Sequence, residues 1–206
     1  MSSLFIPQII PVIASRDLFP KTLNQSGLIG EGVEIGVLKA SFSEWILQHW
    51  NGSCLHSIDP WMHFSDGRYI DGHNLTDDSH EQHYQIACAK LSPFGKRSKI
   101  HRQRSEEASS KFLDRSLDFV YIDAQHHFEA VRDDIVRWFP KVKIGGIIGG
   151  HDFFEDGDYP FGRFGVRKAV VEFATQIKCN ILVSEENIPP PYEAPSWFIV
   201  KANDII

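Results

Sequence analysis

The 206 residues carry 42% hydrophobic and 23% charged side chains, the balance of one soluble globular domain large enough to bury a core without staples. A formal charge of −6 lacks the basic excess of a nucleic-acid groove. The three cysteines, Cys54, Cys88 and Cys179, lie far apart in apolar segments with no CxxC pair, which fits small core residues in a reducing, cytoplasmic compartment.

In chain order, an apolar run from Leu4 to Ala14 comes first. Pro7 and Pro11 interrupt it, no basic residue precedes it, and it is too short to span a bilayer. Residues 1–29 therefore read as an N-terminal helical extension of a single domain covering 1–206, packed on that domain or on a partner. Gly32 to Val37 predicts a strand, and Phe42 to Trp50 a helix capped by Ser41 or Ser43. Cys54 to Ile58 predicts a second strand that ends at Asp59. Residues 60–77 break the pattern as a loop rich in aromatic, His and acidic residues. Asp78 to Leu91 returns to helical spacing and stops at Ser92-Pro93. Lys99 to Gln103 predicts a third strand, and Ser105 to Phe112 a helix.

The next stretch carries most of the information. Asp118 to Ile122 is an apolar run of strand length that stops at Asp123-Ala124-Gln125-His126-His127, and Lys141 to Gly150 is another that stops at His151-Asp152. Phe128 to Phe139 between them has helical spacing, so the three form a right-handed crossover unit with acids and imidazoles at strand carboxyl ends. A second aromatic and acidic loop spans 153–165. Val166 to Ile177 predicts a helix, and Asn180 to Ser184 and Ser196 to Lys201 two closing strands around the Pro189-Pro190-Pro191 bend. The order predicts a doubly wound α/β domain, whose ligands bind at the strand carboxyl ends.

Gly36, where the first strand meets the first helix, lets a ligand approach the backbone without a Cβ in the way. The further glycines of a dinucleotide fingerprint are missing. Asp59, ending the second strand, is placed to accept hydrogen bonds from both hydroxyls of a ribose. A glycine turn and a ribose acid without a pyrophosphate cradle suggest a phosphate-free adenosine ligand, of which S-adenosylmethionine (SAM) is the common one.

Four segments together, Val33-Glu34-Ile35-Gly36-Val37, Ser57-Ile58-Asp59-Pro60-Trp61, Asp118 to Ala124 and Gly145 to Phe153, resemble class I SAM-dependent methyltransferases. The likeness is strongest to the small family of macrocin-type sugar O-methyltransferases and cephalosporin-hydroxylase-like proteins, and spans roughly residues 30–202. It implies a seven-stranded, Rossmann-like sheet with an antiparallel last strand. It also implies that Glu34 and Gly36 face the methionine end of SAM, Asp59 the ribose and Ser105 the adenine, with Ser41 and Asp123 completing the cofactor set. One departure is Ala40, where the family usually carries glycine. Ser105 reads equally well as a helix N-cap.

In related methyltransferases the positions matching Asp123, His151 and Asp152 bind a divalent cation, usually through three acids. With His151 in place of one acid, the set suits Mn²⁺, Fe²⁺ or Zn²⁺ better than Mg²⁺. The alternative is that His151 and Asp152 only cap the turn beyond Gly149-Gly150. His126, matching a histidine frequent in the family, is the expected catalytic base, acting beside Asp123. His127, His80 and His83 read as surface, and Glu129, Asp133 and Asp134 as acids favouring a helix N-terminus. Trp61, Phe64, Tyr69, Phe153, Phe154 and Tyr159 are expected to wall the site, with Asp66, Arg68 and Asp71 discriminating polar substrates.

The expected reaction is methylation of a hydroxyl on a small molecule, a sugar, phenol or secondary metabolite, with metal assistance left open. Competing readings are a metal-dependent hydrolase or oxygenase built on Asp123, His151 and Asp152, and a catalytically reduced binding module. Neither nucleic acid nor membrane is an expected partner, and a homodimer is left open.

Overall fold

The computed structural model describes residues 5–65, 67, 69, 71–185 and 194–203. Asp66, Arg68 and the Pro189-Pro190-Pro191 bend lie outside the described residues. The strands are β1 (Ile9–Ile13), β2 (Glu31–Ile35), β3 (Cys54–Asp59), β4 (Ser98–Arg102), β5 (Leu117–Ile122), β6 (Val142–Gly150), β7 (Gly157–Tyr159), β8 (Gly162–Phe164), β9 (Ile181–Ser184) and β10 (Trp197–Val200). The α-helices are α1 (Phe19–Gln25), α2 (Ser41–His49), α3 (Asp77–Leu91), α4 (Ser105–Ser109), α5 (Phe128–Trp138) and α6 (Val166–Ile177). No helix among the described residues is long and apolar enough to cross a membrane.

Eight strands form one sheet in the order β1-β9-β10-β6-β5-β2-β3-β4, and β7 and β8 form a separate hairpin. β10 runs antiparallel to both β6 and β9, while the other pairs in the sheet are parallel. The seven expected strands are present. The eighth is β1, so the described residues up to 29 are a strand followed by short helical turns and not the purely helical extension predicted from sequence. Ile9 to Ile13 pairs in parallel with β9, and the chain then makes a short 3-10 turn and α1. Pro11, read as an interruption, is tolerated because β1 is an edge strand that can spare one N–H.

β5 shows why its sequence is a continuous apolar run. Successive side chains point to opposite faces, so Val120 and Ile122 enter one core and Phe119 and Tyr121 the other. Residues of α4, α5 and α6 pack the first face through Ala108, Val131, Ile135, Trp138 and Phe173. Residues of α1, α2 and α3 pack the second through Phe19, Leu23, Phe42, Ile46 and Ala87. Phe19 fixes α1 to the sheet, edge-on to Phe119 at 5.3 Å and stacked on Phe198 at 5.0 Å. Neither α2 nor α4 is capped as predicted. The N-cap of α2 is Ala40, and Ser43 instead donates its hydroxyl to the buried Glu34 carboxylate. The N-cap of α4 is Arg104, which makes no side-chain cap bond.

From β2 the chain winds outward through β3 to β4, then returns to pair β5 on the other side of β2 and continues to β6. The strand order therefore reverses between β2 and β5, where two neighbouring loops part and leave a crevice. At that point the Asp123 N–H donates to Ile35 O at 2.7 Å, and the His151 N–H donates to Ile122 O at 3.0 Å. These bonds bring the ends of β2, β5 and β6 level.

Candidate active site

A cavity of about 1190 Å³ opens over these ends, lined among others by Glu34, Gly36, Asp59, Ser105, Asp123, His126, His151 and Asp152. The structure thus brings nearly all of the sequence-predicted residues to one place. It changes the roles of several.

The first turn is built on three left-handed residues, Gly36 (φ 85), Leu38 (φ 50) and Ala40 (φ 56). Gly36 is obligatory, since a Cβ there would meet the Asp123 carbonyl oxygen at 1.9 Å. The alternation turns successive N–H groups inward as an anion nest. Its occupant is the chain's own Asp59: Oδ2 accepts from the N–H of Val37 (2.9 Å) and Leu38 (3.0 Å), and Oδ1 from that of Trp61 (2.7 Å). A carboxylate has about four acceptor positions. With three filled, room remains for roughly one ribose hydroxyl rather than the two expected from sequence. Ser41, also in the cavity, accepts from Lys90 Nζ at 3.0 Å.

Glu34 is buried at the foot of the cavity. Burial pushes its carboxyl pKa up to about 8 against the opposing hydrogen bond from Ser43. Beside it lies Arg16, a residue sequence reasoning did not single out. The guanidinium sits 4.7 Å from the centroid of the Phe42 ring, and Nη1 donates to Asp123 Oδ2 at 3.2 Å. A lone basic residue in the segment joining β1 to α1 carries no local pattern, so only the docking of that segment reveals it.

The acid and imidazole cluster holds four groups. One atom each from Asp123, His126 and Asp152 lie mutually within 4.8 Å, close enough to share a cation. His151 Nδ1 stands 3.8 Å from Asp123 Oδ1 and 3.5 Å from Asp152 Oδ2. His126 is clasped from both sides, Nδ1 to Asp71 Oδ2 at 2.5 Å and Nε2 to Asp152 Oδ2 at 3.0 Å. Burial disfavours its charge, but the two carboxylates outweigh burial and push its pKa up to about 10. Burial would likewise raise the Asp71 and Asp152 carboxyls, yet the hydrogen bonds from His126 and its neighbours hold both far below the usual range. Both ring nitrogens of His126 are thus engaged by carboxylates. His151 is subject to the same influence: burial disfavours its charge, but Asp123 and Asp152 outweigh burial and raise its pKa.

Ser105 reaches the cavity, but its hydroxyl donates to Asp134 Oδ1 at 2.5 Å and accepts from Trp138 Nε1 at 2.8 Å. Asp134 is therefore a buried anchor rather than a helix-end charge, with its pKa raised to about 6 by burial. His80 is buried and lines the cavity instead of facing solvent, with no partner for either ring nitrogen among the described residues. Trp61 and Phe153 belong to the two cores, and Trp61 Nε1 donates to Leu38 O at 2.8 Å beneath the turn. Phe64, Tyr69 and Phe154 do line the cavity, joined by Phe161 and Phe164 of the hairpin region. Phe164 lies flat on His126, with centroids 4.7 Å apart and planes at 9°.

A family profile described as "Methyltransferase domain" matches residues 33–153, the span from β2 to just beyond β6. No curated protein matches in sequence. Solved structures with the same fold include the O-methyltransferase from Bacillus cereus in complex with SAH, at 13% identity and TM-score 0.60, covering 90% of this chain and 80% of that one. The O-methyltransferase TomG from Streptomyces achromogenes, involved in tomaymycin synthesis and solved with SAM, matches at 12% identity and TM-score 0.58, covering 90% and 78%. An rRNA methylase from Streptococcus thermophilus matches at 9% identity and TM-score 0.59, covering 93% and 100%.

Proposed function

The chain belongs to the methyltransferase-domain family, and from that premise we propose that it transfers the methyl group of SAM to a hydroxyl oxygen of a small molecule, with one divalent cation at the acceptor. A sugar, a phenol or a secondary-metabolite hydroxyl fits the reading. The observation that carries it is the convergence of Asp123, His126 and Asp152 within 4.8 Å in the cavity that also contains the Gly36 turn. The O-methyltransferases of the same fold, solved with SAH or SAM, support the choice of cofactor and of oxygen as acceptor. The formal charge of −6 speaks for a small acceptor over RNA.

Methyl transfer from a sulfonium is an in-line displacement, so the protein's main task is to hold donor and acceptor together. The Gly36 turn admits the donor's methionine end, and Asp59 keeps that turn in shape while offering its spare lone pair to the ribose. Asp123, His126 and Asp152 would hold the cation, and two carboxylates with one imidazole suit Mn²⁺, Fe²⁺ or Zn²⁺ better than Mg²⁺. When bound, such a cation lowers the pKa of the acceptor hydroxyl and orients it. His151, whose Nδ1 stands 3.8 Å from Asp123 Oδ1 and 3.5 Å from Asp152 Oδ2, is the imidazole of the cluster outside this ligand set and would take the departing proton. Phe64, Phe161 and Phe164 exclude water above the reacting atoms.

Calorimetry with SAH, with and without Mn²⁺, tests the assignment. Expected are SAH binding and a separate Mn²⁺ event that is lost in Asp152→Ala. A chain that binds neither is not a methyltransferase of this kind. SAH binding without any Mn²⁺ event would leave the transferase reading and remove the metal.

A further inference from the structure

Asp71 sits in the loop between β3 and α3, far in sequence from the acid and imidazole cluster, yet its side chain is only 3% exposed. Every contact of its carboxylate is internal. Oδ1 accepts from the His73 N–H at 2.7 Å and stands 3.1 Å from His73 Nδ1, while Oδ2 lies 2.5 Å from His126 Nδ1. The same short segment is stitched to the β7–β8 hairpin: the Gly72 N–H donates to Phe161 O at 2.9 Å, and Asp71 pairs antiparallel with Gly162. Phe164 of that hairpin covers the face of the His126 ring, and the Gly165 N–H donates to His126 O at 2.8 Å. His126 is therefore fixed in position and in ring plane by the Asp71 loop and the β7–β8 hairpin, which are bonded to each other.

We propose that Asp71 is a positioning residue for the cation site: it takes the Nδ1–H of His126 and aims Nε2, which stands 3.0 Å from Asp152 Oδ2, at the point shared with Asp123 and Asp152, where the metal would take the place of the Nε2 proton. The inference rests on the metal reading of the cluster given above. An imidazole ligand is a better donor when its other nitrogen gives its hydrogen to a carboxylate, and loss of such a partner typically weakens metal binding 10–100-fold. The alternative role for Asp71, direct contact with a polar substrate, is disfavoured because three of its roughly four acceptor positions are taken within the protein. One consequence is that loop, hairpin and ligand form a single mechanical unit, so cation affinity depends on residues that never touch the ion.

The test titrates Mn²⁺ alone into the full chain and its Asp71→Asn and Asp71→Ala variants, with SAH affinity measured in parallel. Expected is a roughly 10–100-fold weaker Mn²⁺ affinity in both variants with SAH affinity within about twofold of the parent. Equal Mn²⁺ affinity in parent and folded variants overturns the role of Asp71 and leaves the metal reading standing. A parent chain that binds no Mn²⁺ removes the metal reading and this inference with it. Nitrogen-15 spectra of the parent chain loaded with Zn²⁺ need no variant: His126 should show a protonated Nδ1 and a metal-bound Nε2. Metal on Nδ1 overturns the proposal even if the variants fail to fold.

Discussion

Arg16 and Asp123 form an ion pair across 107 residues of sequence, Nη1 to Oδ2 at 3.2 Å, that ties the N-terminal segment to the end of β5. The pair is one quarter to one third exposed, and its guanidinium also covers Phe42. It joins two demands that pull against each other. The fold needs a cation beside Asp123, and so does the proposed metal site.

Replacing Arg16 by Met keeps much of the packing on Phe42 and removes the charge. Solvent screening at this exposure limits the expected loss to about 1–2 kcal/mol, read as a lower denaturation midpoint at unchanged slope. Mn²⁺ affinity should rise in the same variant, because the ion no longer competes with a guanidinium for Asp123. A fall in Mn²⁺ affinity would show that Arg16 shapes the site rather than competing for it.

Ala40 supplies the second prediction. It sits at φ 56, ψ 32, where an alanine Cβ crowds the next carbonyl at a cost of about 1–2 kcal/mol. Glycine pays no such penalty but leaves the unfolded chain freer by roughly 0.4–1 kcal/mol. Ala40→Gly should therefore stabilise the protein by about 0.5–1 kcal/mol, measured as a higher midpoint in urea. A destabilised variant would mean that the methyl group, fully buried in the core, contributes more by packing than the strain costs.

That position also marks how far the sequence could be read. The resemblance marked position 40 as one where the family carries glycine, though its left-handed backbone was not read from it, and the apolar runs of β5 and β6 announced parallel strands. Their polar stops located the acids and imidazoles correctly, because strand ends are set by local pattern. What was illegible came from contacts between distant segments. Pro11 hid the edge strand β1, since only its place at the rim of the sheet excuses the missing N–H. The choice between His126 and His151 as the clasped imidazole depended on where Asp71 lands, and a loop's landing point has no period to read. Ser105 looked like a cap or an adenine contact; the cap position is Arg104, and Asp134 and Trp138 claim the Ser105 hydroxyl from the next helix.

Asp59 gives a third prediction with two separable readouts. Because its carboxylate fills the nest of N–H groups at Val37, Leu38 and Trp61, Asp59→Ala should destabilise the fold by about 1–3 kcal/mol as well as weaken SAH. Asp59→Asn keeps one acceptor oxygen and should recover part of both. If SAH affinity is unchanged in a folded Asp59→Ala chain, this acid serves the turn alone and the ribose is held elsewhere.

Glu34 carries the pH prediction. Its carboxyl is 2% exposed, and burial raises its pKa from the ordinary 4.5 to about 8, so the folded protein holds it neutral across most of the physiological range. The unfolded chain would ionise it near its ordinary value. For an acid whose folded pKa is raised, the contribution to stability is fully present below about pH 4.5 and is lost as pH climbs through about 8. Glu34→Gln keeps the acceptor for the Ser43 hydroxyl and cannot ionise. The difference in unfolding free energy between parent and variant should therefore be flat below about pH 4.5, then shift steadily in favour of the variant up to about pH 8, by a few kcal/mol as an order of magnitude. Above that the two curves should run parallel, since Glu34 is then ionised in both states of the parent. Urea titrations of both chains at half-unit steps of pH give the curve. A difference that instead moves in favour of the parent as pH rises would mean that Arg16, and not burial, governs this carboxyl, and that Glu34 enters the cavity as an anion.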